Sequence, residues 1–130
     1  METAKLYDAL DLLGRILLSA IFLFDAWTEI NNWSGTAGYI ASFGVPAVFL
    51  YPTFALHLGG GLLVVIGWWT RLAALGLALF CISTAVIFHH QLGDANEVIQ
   101  FWKDLAIAGG FLVLVAHGAG RYSMDWRSRA

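Results

Sequence analysis

Asp25 and Glu29 stand one helical turn apart in FLFDAWTEI, a stretch otherwise apolar enough to lie in a membrane, with no basic residue beside them. A carboxylate in lipid is costly, so such groups turn towards a protein interior, a wet cavity, a proton path or a bound partner. His57 follows in a second apolar stretch, His89 and His90 end a third, and Lys103 and Asp104 begin a fourth. Carboxyl and imidazole groups together can exchange protons, hydrogen-bond a carbonyl or ligate a metal. The candidate ligand- or proton-handling residues are therefore Asp25, Glu29, His57, Lys103 and Asp104, and the candidate metal ligands are Asp25, Glu29, His57 and His89.

The elements that position these residues follow from composition. Of 130 residues, 59% are hydrophobic and 12% charged, with a mean hydropathy of +0.72, against roughly 25% charged in soluble domains. No Lys, Arg, Asp or Glu falls between Glu29 and Arg71, between Arg71 and Asp94, or between Asp104 and Arg121. About 20 apolar residues cross a bilayer, so each gap holds one helix, the last extended backward past Lys103. With the first stretch this predicts an all-α fold: one domain of four transmembrane helices over residues 12–30, 47–69, 72–90 and 98–117. Glu2, Asp8 and Asp11 spoil the basic start of a signal peptide, so the first helix is expected to be retained.

Lys5, Arg15, Arg71, Arg121, Arg127 and Arg129 then fall on one side and Lys103 on the other, which places both termini in the cytoplasm. Trp68, Trp69, Tyr122 and Trp126 mark the inner interface, and Trp33, Tyr39, Tyr51 and Trp102 the outer one. The net charge of −2 and the lack of a basic patch argue against nucleic acid as a partner. The uncharged, glycine-rich loop NNWSGTAGYIASFGVP, closed by Pro46, reads as an outer interfacial cap. Cys81 is the single cysteine, so no disulfide forms within the chain.

At about 100° per residue, Arg15, Ser19, Asp25 and Glu29 share one inward stripe of the first helix, leaving Leu17, Ile21 and Phe24 for lipid or neighbours. Arg15 lies about 15 Å from Asp25 along the axis, so it is expected to snorkel to the inner headgroups or pair with Asp11. His57 falls near mid-membrane, and His89, Lys103 and Asp104 at the outer end, so the polar groups converge in the outer half. Gly60, Gly61, Ala106, Gly109 and Gly110 let helices approach closely there. His89 and His90 point about 100° apart, so at most one joins an interior site. His117 reads as a helix C-terminal cation.

The blocks LLGRILLSAIFLF, LGGGLLVVIGWWTRLAALGLAL, FWKDLAIAGGFLVL and GAGRYSMD, in that order, run through nearly the whole chain and resemble the DoxX family of small bacterial four-helix membrane proteins. Two positions differ. Many members carry a G-x-x-K-like element late in the first helix, where this chain reads DAWTE, and often a Glu before the glycine run of the second, where it has His57. The resemblance implies a membrane subunit or accessory of an oxidoreductase system, with quinone as acceptor in one type.

Three readings of the polar cluster compete. It is a structural network, with Lys103 paired to Glu29 or Asp25 and His57 bonded to the first helix. It is a site for a quinone, whose carbonyl a histidine and a carboxylate can bond and protonate, with Trp27, Phe54 or Trp102 flanking the ring. Or it is a metal site, which lacks any HxxxH or ExxH pair to support it. The expectation is an electron-transfer subunit or accessory with no intrinsic cofactor evident and enzymatic status open. The alternative is a non-catalytic assembly or stabilising subunit, or a carrier of a small lipophilic molecule. The expected surroundings are the lipid bilayer and a homo-oligomer or larger membrane complex.

Overall fold

The computed structural model describes residues 2–128; Arg129, counted above among the cytoplasmic basic residues, lies outside them. The described residues form helices and turns without strands: α1 (Glu2–Asn31), α2 (Trp33–Ala41), α3 (Ala47–Ile66), α4 (Thr70–Phe88), α5 (Ala95–His117) and a short α6 (Met124–Ser128). Three of them, α3, α4 and α5, are long and apolar enough to cross a membrane. α1 is 30 residues long, but each 18-residue stretch of it holds at least three charged residues.

α1 buries Arg15, Ser19, Phe22, Ala26 and Glu29. Their spacing of four and three residues draws one stripe down the helix, while Leu17, Phe24 and Trp27 are 65%, 64% and 67% exposed on the other face. α4 buries Ala73, Ala74, Ala78 and Ala85 among larger residues. Small side chains let backbones approach where lipid gives helices no hydrophobic reason to associate, and α4 packs most extensively of all against α5. The core gathers Phe22, Val64, Leu77, Cys81 and Phe111 at this junction. α1 is seated on two glycines, since a Cβ at Gly61 or at Gly110 would come within 2.9 Å of Leu23 or Leu18 respectively.

One end of the bundle is tied by hydrogen bonds. Arg15, 1% exposed, neither snorkels nor pairs first with Asp11; its guanidinium donates to the carbonyls of Val64 and Val65, both at 3.0 Å, and to that of Tyr122. The last carbonyls of a helix have no partner within it, so a buried cation there satisfies orphan acceptors and complements the helix dipole. α3 stops at Ile66, short of residue 69, because Gly67 (φ 78°) and Trp69 (φ 50°) take left-handed backbone. A side chain at Gly67 would also collide with Arg15 Nη1 and Ser123. Asp125 completes the knot by accepting from the amides of Trp69 (2.9 Å) and Thr70 (3.0 Å), the free start of α4, while its own amide donates to Gly67. The segments LLGR, GWWTR and GAGRYSMD thus meet in one structural joint.

At the opposite end the glycine-rich connection contains a helix that its sequence does not suggest. α2 is pinned at both ends by aromatic rings: Trp33 packs on Tyr51 and Phe54 of α3, and Tyr39, with Phe43 beyond it, on Phe88 of α4. Exposed Trp68 and Trp69 lie about 30 Å from this end along α3, a separation matching the hydrocarbon thickness.

Replacing Arg15 by Met is expected to destabilise the bundle by about 3 kcal/mol, since buried carbonyls lose a charged donor, and Gly67→Ala to lower the unfolding temperature as well. Thermal unfolding in detergent followed by circular dichroism checks both; unchanged midpoints would show that the joint carries no stability.

Candidate functional site

α3 departs from regular α-helix over Leu56–Gly60, where one turn widens to π-helical hydrogen bonding. Such turns are rare and frequent at functional sites, because the inserted residue re-aims a side chain that a regular helix would place elsewhere. Here the turn carries His57, 4% exposed, its ring held between Phe22 (centroids 5.5 Å apart) and Phe80 (4.7 Å, edge on). His57 Nδ1 lies 2.8 Å from Oε1 of Glu29, itself 6% exposed. The two atoms are close but off the line of a hydrogen bond, and Glu29 Oε2 and His57 Nε2 have no hydrogen-bond partner. Buried polar atoms are nearly always satisfied, so each exception calls for an account.

The account lies beside them. A pocket of about 370 Å³ is lined by Glu29, His57, Asp25 and Asp104, with α2 and the end of α4 over it through Tyr39 and Phe88. This is within the range of small-molecule sites. Asp104 accepts from Thr84 Oγ1 at 3.2 Å. His89 lies between two carboxylates, Nδ1 at 3.0 Å from Glu97 and Nε2 at 3.9 Å from Asp104. A chain of titratable groups therefore runs from the half-exposed rim at Glu97 into the pocket. Burial, with Glu97 nearby, raises the Tyr39 phenol above its usual value, which keeps it a neutral donor. No Lys or Arg lines the pocket, so it is electrostatically hostile to anions and suited to a neutral molecule with hydrogen-bonding groups.

Of the residues predicted from sequence, Asp25, Glu29, His57 and Asp104 meet in this one pocket, and Lys103 does not. Lys103 is exposed, one residue and about 100° around α5 from Asp104, so the predicted pairing of Lys103 with Glu29 or Asp25 is replaced by that of His57 with Glu29. His89 turns to the pocket, whereas His90 is exposed with Nδ1 at 3.1 Å from the Ile87 carbonyl. Among the described residues no three of His, Cys, Asp or Glu are grouped to hold a metal ion, so Asp25, Glu29, His57 and His89 form no such set. The rings at the pocket are Tyr39, Phe80 and Phe88; Trp27 and Trp102 face outward, and Phe54 packs on Trp33. Sequence reasoning missed Tyr39, Thr84 and Glu97. A signal existed for the last, since Glu97, Gln100 and Asp104 form a polar stripe at i, i+3 and i+7.

Comparison with known proteins adds the following. The family model described as DoxX matches residues 10–90. "Inner membrane protein YqjF" of Escherichia coli (strain K12) is 39% identical over 121 residues, 93% of each chain. "Inner membrane protein YphA" of the same organism is 34% identical over 140 aligned positions, 98% of this chain and 100% of that one. "Putative oxidoreductase CatD" of Bacillus subtilis (strain 168) is 29% identical over 82 residues, 63% of this chain and 61% of that one. No solved structure matches the chain.

Removing one member of the buried pair strands the other, so His57→Ala and Glu29→Ala are each expected to destabilise the bundle by about 3–5 kcal/mol, and together by less than their sum. Chemical unfolding of the two single variants and the double variant measures this; full additivity would mean that the two residues are not coupled.

Proposed function

The chain belongs to the DoxX family and lies in the bacterial inner membrane, and from that premise we propose that it is a membrane subunit or accessory of an oxidoreductase system whose pocket holds a quinone. α1 serves as a fourth crossing, its Arg15 turned inward to Val64 and Tyr122 and its Glu29 to His57, and both termini lie in the cytoplasm with the pocket in the outer half. The observation that carries the reading is the incompletely bonded His57–Glu29 pair beside a carboxyl-rich, cation-free pocket. A quinone carbonyl accepts from the His57 Nε2–H, and from Glu29 Oε2 when that carboxyl is protonated, and the name of the Bacillus relative supports the same direction.

In this reading the quinone takes up two electrons and two protons, its carbonyls becoming hydroxyls. The electrons come from the redox centre of a partner subunit, since the lone Cys81 gives this chain no dithiol of its own. His57 and Glu29 orient a carbonyl and deliver protons, and Asp104, His89 and Glu97 replace them from the rim. Gly109 on α5, with open space about it, leaves a surface on which a partner or second copy can pack.

Purified protein in lipid nanodiscs tests the reading directly. The wild type is expected to bind a short-chain benzoquinone, and His57→Gln and Glu29→Gln to weaken binding about tenfold or more, the worth of a hydrogen bond to a charged group, while circular dichroism shows the helices intact. Equal binding by all three proteins, or binding by none, would contradict it and leave the non-catalytic stabilising role.

A further inference from the structure

The seam between α1 and α5 touches at Leu18 and Gly110 and parts on either side: towards the Arg15 joint it holds a cavity of about 210 Å³ lined by Asp11, Leu18, Val113 and His117, and towards α2 it adjoins the pocket. Beside the Arg15 joint, Leu18 of α1 sits against Gly110 of α5. Residues seven apart on a helix lie within about 20° of one another, so Lys103 occupies the same face as Gly110 two turns on. Yet Lys103 and the intervening Ala106 are exposed. On α1, the residue seven beyond Leu18 is Asp25, only half buried, and Ile21 between them is 43% exposed. Faces that touch at Leu18 and Gly110 have therefore separated by this level. The residues that line the gap, Ile21 and Asp25 on one lip and Gln100 and Asp104 on the other, are lining residues of the pocket.

The other lining residues come from α3, α4 and α2, with a second, polar edge at His89 and Glu97. Leu50, 1% exposed, and His57 form the α3 wall, Phe80 and Thr84 the α4 wall, and Thr36, Tyr39 and Ile40 of α2 lie across the end. The exposed lip residues Ile21 and Ala106 thus leave a sideways way into the pocket between two long helices, at a level where Phe24 on the outside of α1 is apolar and 64% exposed.

We infer that the pocket is loaded from the bilayer through the α1–α5 seam by a tailed amphiphile, its polar ring against His57 and Glu29 and its hydrocarbon chain lying in the gap along Ile21. This rests on the quinone reading above and narrows it to membrane-dissolved, tail-bearing quinones. A chain in the seam exchanges one apolar environment for another, so it adds little affinity of its own. Its role is to fix the path and the orientation in which the ring arrives.

Two ring-matched probes in nanodiscs test this: a benzoquinone with a long isoprenoid tail, and the same ring without a tail. A bulky plug at the edge of the gap obstructs the tail, so Ala106→Trp, outside the pocket lining, is expected to weaken the tailed probe about tenfold or more while leaving the tailless one within about twofold. Lys103→Trp, one turn further along the same exposed face, is expected to do the same and serves if the first variant folds poorly by circular dichroism. Equal effects on both probes, or no effect on either, would overturn the lateral route while the quinone reading stands. If the wild type binds neither probe, the quinone reading fails and this inference with it.

Discussion

A polar group carried into an apolar phase must find its partners inside the protein, because neither lipid nor water will supply them. This constraint shapes both ends of the bundle, and the two ends answer it differently. Arg15 delivers its terminal nitrogens to three carbonyls, two at the close of α3 and one in the C-terminal segment, and so joins stretches of chain 49, 50 and 107 residues away. The His57–Glu29 pair leaves both imidazole nitrogens and one carboxyl oxygen without a hydrogen bond in the interior. The first arrangement bonds the terminal nitrogens of a buried cation and leaves only its Nε without a partner. The second is stable only in part, and its unsatisfied atoms adjoin a pocket.

The division of labour follows along the helices. At the joint, left-handed turns at Gly67 and Trp69 and the Asp125 cap fix how α3 passes to α4, and close approach at Gly110 draws α1 onto α5. Towards α2 the packing relaxes: α3 widens into a π turn, and α1 separates from α5.

Much of this was legible in the sequence. Uncharged gaps give the helices after the first, and counting positions along them brings Asp25, Glu29, His57 and Asp104 into the same half of the bundle. What the sequence hid has a common cause. Helical periodicity gives the height of a residue well, but its direction only to within the turn of a neighbouring residue, about 100°. Lys103 was therefore expected inside and lies outside, and Trp27, Phe54 or Trp102 was expected to flank a pocket that Tyr39, Phe80 and Phe88 line instead. The partners of Arg15 are backbone carbonyls, which no residue type announces. The loop helix α2 depends on aromatic clamps supplied by α3 and α4, so its local composition, rich in glycine, misleads.

The central claim is that the interior is apolar by necessity and keeps His57 and Glu29 for use, not for support. It is tested most directly by replacing the pair with apolar residues of similar size. Well-packed apolar substitutes for a buried ion pair are often neutral or stabilising, so the double variant His57→Phe, Glu29→Leu is expected to unfold at or above the wild-type denaturant midpoint and to bind no quinone. A double variant that unfolds well below the wild type would show the pair to be a structural element, and the account would fail.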